Sequence, residues 1–538
     1  MSDASWTIGR YVVESLALNG IDTVFGIPGV HNIELYRALQ PGSGLRHLLA
    51  RHEQNAAFAA DGFARVAGRP AAVFVISGPG LTNALTAIAQ AWSDSVPMLV
   101  IASSPVRASL GRHWGVLHEL EDQRALAASV SGFAGSARSH ADVREQLRAA
   151  FAALRAARPR PAYVDIPLDL LAESTELRPE RFGAVAATPA PAAGSLARAQ
   201  QLLELAQRPL VVAGGGARHA GVAVRRLIEA VDGYLVTTVA GKGVIPESHP
   251  ANLGAGLPYE PIQAQFAAAD LIIAAGTELS ETDVYTTTRL ARNGVLVRID
   301  VDPHKLVDHY GAEVPVAADA TQALEALAAA ARPRRGWRSA AGPAALWRTR
   351  VEQEFSPGTR ARLEALRALR AVLPEDGAVF SDMTQIAYLG NYAFSAERPG
   401  VWFHPSGYGT LGFAMPAALG AKIAQPERAI VALAGDFGFQ FTQQELVSAV
   451  ELELCLPVVI WNNEALGQIR HDMRAAAIEP VGVTGRNPDF LALAAACGAA
   501  GARAHNAGEL ARELRMALAR RGPTLIEALA KAFAPAAL

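Results

Sequence analysis

The stretch 428–463 constrains the fold of this chain more than any other. It begins with an apolar run that predicts a buried strand ending just before Asp436. Helical periodicity over 442–454 follows, and a second apolar strand then ends just before Asn463. A helix joining two such strands is typical of a parallel sheet, in which ligands bind at the carboxyl ends of the strands. The sequence therefore predicts that Asp436 and Asn463 lie close together at one sheet edge.

These two residues have two interpretations. A carboxylate, a carboxamide and nearby backbone carbonyls form an oxygen set suited to Mg²⁺, which often keeps phosphate oxygens as further ligands. The alternative is that Asp436 caps the following helix and that Asn462 and Asn463 form a turn, because Asp and Asn favour both positions.

Size and charge narrow the function classes. The 538 residues are enough for several domains, and the net charge of −2 argues against a nucleic-acid surface or a polybasic membrane patch. No secretory signal and no apolar run of membrane-spanning length is visible. The two cysteines lie in apolar segments and favour a reduced, cytoplasmic setting over a disulfide framework.

Helices alternate with short apolar strands along most of the chain. This pattern predicts an α/β protein with three doubly wound parallel sheets, in domains 1–172, 195–332 and 355–538. The stretches 172–196 and 332–343 lack periodicity and are interpreted as linkers. Strands are predicted near 23–28, 45–50, 72–77, 98–102, 161–167, 209–213, 234–238, 271–275, 295–300, 377–381, 401–403, 429–434, 456–461 and 524–527.

Three further motifs lie at predicted strand or helix ends. Glu53, in Arg51-His-Glu-Gln, could share a proton with a ligand nitrogen, although a Glu at a helix N-terminus is also favoured by the helix dipole. Gly407-Tyr-Gly-Thr-Leu-Gly-Phe-Ala-Met-Pro could be a ligand loop or simply a glycine-rich connection. Gly214-Gly-Gly-Ala-Arg-His departs from the dinucleotide-binding spacing because His219 replaces its third glycine.

Taken together, the three motifs at 51–54, 407–416 and 435–463 resemble those of thiamin-diphosphate enzymes of the acetolactate synthase and 2-oxo-acid decarboxylase superfamily. The resemblance covers the whole chain. The family's Gly-Asp-Gly is here Gly435-Asp436-Phe437, with Gly438 next, and Asn462-Asn463 follow at a similar distance. Phe437 is a departure that puts the diphosphate contacts in doubt and leaves the metal ligands in place.

The resemblance implies a site for each part of the cofactor. Mg²⁺ would be held by Asp436, Asn463 and the carbonyl of Ala465, and Glu53 of a partner subunit would hydrogen-bond the pyrimidine. The family builds its site between the first domain of one chain and the third of another, so a homodimer or homotetramer is implied. A flavin is possible in the central domain but not indicated. The implied cofactor-binding residues are Thr384, Gln385, Gly409, Leu411, Phe437, Gly438 and Gly467.

Two stretches, Gly276-Thr-Glu-Leu-Ser-Glu-Thr-Asp and Asn463-Glu-Ala-Leu-Gly-Gln-Ile-Arg-His-Asp-Met, resemble decarboxylases of 5-guanidino-2-oxopentanoate, which release CO₂ and 4-guanidinobutanal. Asp472 stands where acetolactate synthases carry a Trp over the substrate. Its carboxylate could pair with a guanidinium tail, or it could be a surface residue near Arg470 and Arg474. His31 and His118 are candidates for proton relay or for contact with the substrate carboxylate, and a structural role is the alternative for each.

The expected function is therefore non-oxidative decarboxylation of a 2-oxo acid. Two alternatives stay open at this point. The chain could be an acetolactate-synthase-like carboligase, or a cofactor-binding subunit without catalysis. The presence of both Glu53 and the Asp436–Asn463 pair argues against the second, because a silent subunit does not need the carboxylate that contacts the pyrimidine.

Overall fold

The computed structural model describes residues 6–183, 188–285, 287 and 289–533. Its strands form three parallel sheets, one after another along the chain. Alternate residues of one strand enter different cores: Val73 and Val75 pack in one, and Ala72 and Phe74 in another. Successive side chains of a strand point to opposite faces of its sheet. Both faces of the first sheet, to which these four residues belong, are therefore covered by apolar cores. The predicted fold class is confirmed, while the three domain bounds stay a prediction.

The first sheet has six strands in the order β2-β1-β3-β4-β6-β5. All six strands are parallel, so their carboxyl ends lie at one edge. The strand order reverses direction between β1 and β3, where such sheets form a crevice. In chain order the elements are α1 (Ile8–Leu18), β1 (Thr23–Gly26), α2 (Ile33–Ala38), β2 (Arg46–Leu49), α3 (Glu53–Ala67), β3 (Ala72–Val75), α4 (Pro79–Ser93), β4 (Leu99–Ser104), α5 (Gln123–Ala128), β5 (Phe133–Ser136), α6 (His140–Leu154), β6 (Ala162–Pro167) and α7 (Leu168–Ala172).

The central sheet has five strands in the order β11-β10-β9-β7-β8. Its elements are α8 (Ala193–Leu205), β7 (Pro209–Ala213), α9 (Gly221–Val231), β8 (Tyr234–Thr237), α10 (Glu260–Ala268), β9 (Leu271–Ala275), α11 (Glu281–Val284), β10 (Val295–Asp300), β11 (Val314–Ala317), α12 (Ala320–Ala330), α13 (Trp337–Ala341) and α14 (Ala344–Gln353). Short 3₁₀ turns lie at Arg107–Ser109 in the first unit and at Gly215–Ala217 and Pro303–Leu306 here.

The third sheet has six strands in the order β13-β12-β14-β15-β17-β16. Its elements are α15 (Pro357–Val372), β12 (Ala378–Ser381), α16 (Gln385–Ala393), β13 (Trp402–Phe403), α17 (Ala414–Ala424), β14 (Ile430–Gly435), α18 (Asp436–Gln440), α19 (Glu445–Glu451), β15 (Pro457–Asn462), α20 (Gly467–Ala475), α21 (Phe490–Ala496), β16 (Ala500–Ala504), α22 (Ala507–Leu518), β17 (Thr524–Leu529) and α23 (Ala530–Phe533).

Two features differ from the sequence-based expectation. The segment 332–343, interpreted as a linker, contains α13, whose Trp337 is buried with its ring centroid 4.9 Å from that of Tyr234. Asp232 fixes this helix because its carboxylate accepts hydrogen bonds from the backbone amides of Gly336 and Ser339. The structure also adds three strands that the sequence pattern did not predict, β5, β11 and β16, and each lies at the edge of its sheet.

The first and third domains meet where α3 crosses α17. A Cβ added to Gly62 would overlap the carbonyl oxygen of Ala417, and one added to Gly420 would overlap that of Ala59. The two helix backbones therefore touch directly, which only glycine permits at these two positions. Apolar residues of both domains share one core around this crossing.

Candidate active site

The site forms at the carboxyl ends of β14 and β15. These strands pair in parallel, with Gly435 opposite Trp461, so that Asp436 and Asn463 emerge at the same edge. Asp436 begins α18 with its side chain only 2 % exposed. The backbone amide of Glu464 donates to Asn462 Oδ1 at 3.1 Å and also lowers the pKa of the Asp436 carboxyl, so that carboxyl lies near the turn that carries Asn463. The predicted convergence of the two strand ends is therefore present.

Asn487 holds this edge together. Its Nδ2 donates to Asp436 Oδ2 at 2.7 Å and to Asn462 Oδ1 at 3.0 Å. Its Oδ1 accepts from Gln440 Nε2 at 3.1 Å, which fixes the orientation of the amide. Asn462 in turn donates to Glu527 at 2.7 Å on the neighbouring strand β17. Asn462 is thus committed to protein contacts, and Asn463 is the member of the pair that remains for a ligand.

A tight turn presents Asn463. Its Oδ1 accepts a hydrogen bond from the amide of Ala465 at 3.1 Å, and Glu464 between them has a φ of +56°. Ala465 is buried and pairs with Thr484 in an isolated antiparallel bridge. The turn that the sequence offered as an alternative to a metal site is therefore real, and it occupies one of the two lone pairs of the Asn463 oxygen.

The charge of Asp436 lacks a counter-ion. Burial raises the pKa of its carboxyl above the ordinary value, and the hydrogen bond from Asn487 and nearby backbone amides oppose that rise. No Lys, Arg or His among the described residues forms an ion pair with it. No group of three or more His, Cys, Asp or Glu there is placed to hold a metal either. A hard divalent cation held by carboxylate, amide, carbonyl and ligand oxygens fits this donor set.

Three glycines line the space beside Asp436 and Asn463. A Cβ on Gly467 would lie 2.5 Å from Asn463 Nδ2 and 2.9 Å from Gln385 Oε1, and one on Gly435 would lie 3.1 Å from Thr384 Oγ1. A Cβ on Gly438 would lie 2.9 Å from a carboxylate oxygen of Asp382. The structure thus brings Thr384 and Gln385, at the start of α16, close to Asp436 and Asn463. Close approach of this kind suits a diphosphate, which binds backbone amides at helix N-termini.

The side chain of Phe437, the residue that replaces the family's third glycine, has a packing partner. Its ring lies against Gly485, where an added Cβ would be 3.1 Å from Phe437 Cζ. The residue that departs from the family pattern therefore packs on the segment that leads to Asn487. The backbone of Phe437 occupies the third position of the family's Gly-Asp-Gly motif.

The glycine run 407–412 is held by a buried carboxylate. The amide of Gly412, at a φ of +86°, donates to both oxygens of Asp382 at 2.9 and 3.1 Å. Burial raises the pKa of Asp382 to about 6, and the amides of Met383 and Gly412 oppose that rise. Leu411 is half-buried beside this anchor, and Gly409 has a φ of +69°, which favours glycine. Residues Gly409 and Leu411 therefore occupy a rigid loop.

Glu53 lies away from that loop within one chain. Its Oε2 accepts from Asn83 Nδ2 at 3.0 Å, near the start of α4. The amide of Gly407 donates to Asp94 Oδ1 at 2.7 Å, at the opposite end of α4. These two contacts are separated by about 16 Å at the usual rise per residue of a helix.

The direction of the Glu53 side chain also indicates that Glu53 lies away from the glycine loop of its own chain. Asn55, two positions further along α3, donates to Glu445 of the third domain at 2.9 Å. Side chains two positions apart point about 200° from each other around a helix. Glu53 therefore faces away from the third domain of its own chain.

The three candidate substrate residues fall into two places. Asp472 is exposed on α20, and its Oδ1 accepts from Gln468 Nε2 at 2.9 Å. Gln468 Oε1 accepts from Gln385 Nε2 at 3.4 Å, so a chain of hydrogen bonds links Asp472 to the proposed diphosphate side.

His31 and His118 form a separate cluster at the edge of the first sheet. Their ring centroids are 4.7 Å apart, and His31 Nδ1 hydrogen-bonds the hydroxyl of Ser77. Burial and the neighbouring His118 lower the pKa of His31. His118 has a φ of +65° and a buried Nδ1 that meets no hydrogen-bond partner among the described residues. A buried ring nitrogen of this kind is compatible with a ligand contact.

Comparison with known proteins places this geometry in a family. Residues 6–126, 196–327 and 382–528 match, in order, the N-terminal TPP binding domain, the central domain and the C-terminal TPP binding domain of thiamine pyrophosphate enzymes. The chain is 47% identical over 526 residues to a protein of Pseudomonas aeruginosa named "Probable 2-ketoarginine decarboxylase", covering 97% of this chain and 93% of that protein. The chain belongs to the thiamine pyrophosphate enzymes.

Acetolactate synthases are more distant members of this thiamine pyrophosphate enzyme family. The isozyme 3 large subunit of Escherichia coli is 31% identical, over 94% of this chain and 91% of its own. The large subunit of Lactococcus lactis is 29% identical, over 97% and 92%. The predicted superfamily is confirmed, and so is binding of thiamin diphosphate as its cofactor. No helix in the described part of this thiamine pyrophosphate enzyme is long and apolar enough to cross a membrane.

Two residues of the site escaped the sequence-based prediction. Asp382 directly follows β12, and this signal, an acidic residue at a strand end, is the one that identified Asp436. Asn487 lies in an irregular segment before Pro488, without periodicity or spacing that marks it. Only the fold brings it beside Asp436.

Proposed function

We propose that the chain is a Mg²⁺-dependent thiamin-diphosphate decarboxylase that converts 5-guanidino-2-oxopentanoate to 4-guanidinobutanal and CO₂. The observation that carries the proposal is a buried Asp436 carboxylate that has no counter-ion within the described part of the chain. It lies against the Asn463 turn and a glycine-lined space. The 47% identity over nearly the full length with the "Probable 2-ketoarginine decarboxylase" supports the choice of substrate.

Mg²⁺ would be held by Asp436, Asn463 and the carbonyl of Ala465. The uncompensated charge of Asp436 supports this role, because a divalent cation would supply the missing counter-charge. Asn487 would orient the Asp436 carboxylate toward the ion, as a hydrogen-bonded neighbour does in many metal sites.

Two further sets of residues would hold the diphosphate and the two rings of the cofactor. Thr384, Gln385 and Gly467, with the backbone of Phe437 and Gly438, would contact the diphosphate. Gly409 and Leu411, on the loop fixed by Asp382, would contact the two rings. When bound, thiamin diphosphate supplies the nucleophilic carbon and the electron sink for loss of CO₂.

Side chains of the protein would hold and transfer the protons of the reaction. Glu53 would hold a proton at the aminopyrimidine nitrogen. His31 and His118 would contact the substrate carboxylate or deliver the proton that replaces CO₂. The pKa of His31 is lowered, so its ring is neutral near pH 7. A neutral imidazole can donate a hydrogen bond to a carboxylate, and it would have to take up a proton before it delivers one.

We further propose that the working unit is a homodimer or a larger homo-oligomer. Glu53 faces away from the third domain of its own chain and lies at the far end of α4 from the glycine loop. Glu53 of the partner subunit would complete each site. The proposal predicts that the free monomer is inactive.

A panel of 2-oxo acids tests the reaction. The protein is incubated with thiamin diphosphate, Mg²⁺ and one acid at a time, and both CO₂ and the organic product are measured. We expect CO₂ and an aldehyde in equal amounts, with 5-guanidino-2-oxopentanoate preferred over pyruvate. Rapid formation of acetolactate from pyruvate would instead identify a carboligase, and no turnover of any acid would favour a subunit without catalysis.

A further inference from the structure

We infer that Tyr388 and Tyr285 form an aromatic cation site next to Asp472, and that this site selects 2-oxo acids whose side chain ends in a guanidinium group. The inference rests on the proposed function and deepens it. It assigns specificity to two residues that no motif identifies, and it gives the central domain a part in choosing the substrate.

Two helices of the third domain face each other at this point. Gln385 and Tyr388 lie three positions apart on α16, and Gln468 and Asp472 lie four positions apart on α20, so each pair shares one face of its helix. Gln385 Nε2 donates to Gln468 Oε1 at 3.4 Å, and Gln468 Nε2 donates to Asp472 Oδ1 at 2.9 Å. With the two glutamines in contact, Tyr388 and Asp472 lie on the facing sides of α16 and α20.

Electrostatics agree with this arrangement. The pKa of Tyr388 is raised mainly by burial, and the carboxylates of Asp382 and Asp472 add to the rise. Tyr388 is therefore a neutral phenol that lies within the field of the Asp472 carboxylate. Asp472 forms no ion pair with a Lys or Arg among the described residues, so its free lone pairs are available to a cation.

Tyr285 comes from the central domain and meets Tyr388 across the domain boundary. Their ring centroids are 6.2 Å apart with the planes inclined at 50°, and Tyr285 is 45 % exposed. Tyr285 follows α11 with a φ of +44°, a backbone conformation that bulky residues rarely adopt. Such strain is concentrated at functional sites, where the fold holds a side chain in a required place.

These three groups match the chemistry of a guanidinium ion. Its flat face is attracted to aromatic rings, and its N–H edge forms paired hydrogen bonds with a carboxylate. Tyr285 and Tyr388 supply two ring faces, and Asp472 supplies the carboxylate. A neutral alkyl chain would gain the contact with the rings but would offer the Asp472 carboxylate no cationic partner. A substrate ending in a carboxylate would be repelled by Asp472.

The rival explanation is that the two rings only pack the central domain onto the third. To distinguish cation binding from domain packing, the experiment removes either the whole ring or only the hydroxyl group of each tyrosine. Tyr285→Leu and Tyr388→Leu remove the ring, while Tyr285→Phe and Tyr388→Phe keep it. Each variant is assayed with 5-guanidino-2-oxopentanoate and with 2-oxohexanoate, which has a neutral alkyl chain, and the ratio of the two kcat/KM values is recorded.

We expect each Leu variant to lower the ratio about 5- to 20-fold and each Phe variant to keep most of it, because cation–π attraction needs only the ring. The affinity of the cofactor-loaded protein for butylguanidinium, measured by calorimetry, should fall in the Leu variants and change little in the Phe variants. The midpoint of thermal unfolding shows whether a variant has simply lost its domain packing.

The outcomes distinguish the two proposals. If the parent protein does not decarboxylate 5-guanidino-2-oxopentanoate, the proposed function fails. If it decarboxylates that acid but the ratio and the butylguanidinium affinity of the Leu variants equal those of the parent, the aromatic site is wrong and the proposed function stands. A ratio that falls equally in the Leu and Phe variants would also overturn the inference, because the hydroxyl and not the ring would then be responsible.

Discussion

Asn487 donates a 2.7 Å hydrogen bond to Asp436, a residue 51 positions earlier in the chain. The same Nδ2 reaches Asn462, and Gln440 holds the other end of the amide. One side chain thus couples the ends of β14 and β15 to a loop that neither strand contains. The position of the proposed metal ligand depends on this loop as much as on the sheet.

We expect Asn487→Ala to weaken Mg²⁺ binding about 10- to 100-fold, the usual cost of removing a group that orients a ligand. The measurement is the Mg²⁺ concentration that gives half-maximal activity at saturating thiamin diphosphate. Asn506→Ala, which removes an exposed helix cap on α22, is the matched control and should leave that concentration unchanged. An unaltered Mg²⁺ requirement in Asn487→Ala would contradict the proposed role.

Asp436→Asn should separate stability from cofactor binding. Burial raises the pKa of Asp436 in the folded chain, so its ionisation opposes folding, and the metal-free protein loses stability as the pH rises through that pKa. The neutral amide removes this penalty. We therefore expect metal-free Asp436→Asn to be at least as stable as the parent at pH 7, and to gain nothing from Mg²⁺ and thiamin diphosphate in thermal unfolding. Stabilisation by the added cofactors would show that Asp436 is not a ligand.

Glu53→Gln tests the catalytic proposal. The amide keeps the size of the side chain but cannot exchange a proton with the cofactor, so we expect kcat to fall by about 100-fold or more. Cofactor affinity and the unfolding midpoint should change little. Glu451→Gln, whose parent carboxylate pairs with Arg51 at the surface, is the control and should keep its activity. Unchanged turnover in Glu53→Gln would remove Glu53 from the mechanism.

Gly420→Ala should loosen the junction of the first and third domains. The added Cβ would overlap the Ala59 carbonyl oxygen, and overpacking of this kind costs about 1–3 kcal/mol or more. Gly358→Ala is the matched control, because a Cβ there meets nothing within 4 Å and α15 gains helix propensity. The unfolding midpoint should fall in the first variant and stay or rise in the second. Equal midpoints would mean that the α3–α17 crossing can move apart without cost.

The sequence predicted the strands that lie inside the sheets and the edge strands β2, β8 and β13, and it missed the edge strands β5, β11 and β16. Phe133–Ser136 and Ala500–Ala504 contain Gly and Ala in place of β-branched residues, and Val314–Ala317 is interrupted by Pro315. An edge strand is covered on one side only, so it does not need the continuous apolar run that identifies a central strand. Its pairing is decided by the neighbouring strand, which local sequence does not describe.

The residues of the site also fall into a group that the sequence pattern could predict and a group that it could not. Asp436, Asn463 and Asp382 follow strands, and a parallel sheet brings the carboxyl ends of those strands to one edge. Asn487 and Tyr285 lie in irregular segments, and their positions follow from contacts made across the chain. Sequence patterns therefore describe the part of the site that secondary structure builds, and tertiary packing supplies the rest.

The separation of Glu53 from the glycine loop by the length of α4 has a genetic consequence. If each site combines Glu53 of one subunit with Asp436 of the other, a mixed dimer of Glu53→Gln and Asp436→Asn chains contains one site with both defects and one with neither. Two inactive proteins, unfolded and refolded together, should therefore regain activity that neither shows alone. Two alleles with such defects would complement each other in one cell, whereas two defects on the same chain would not.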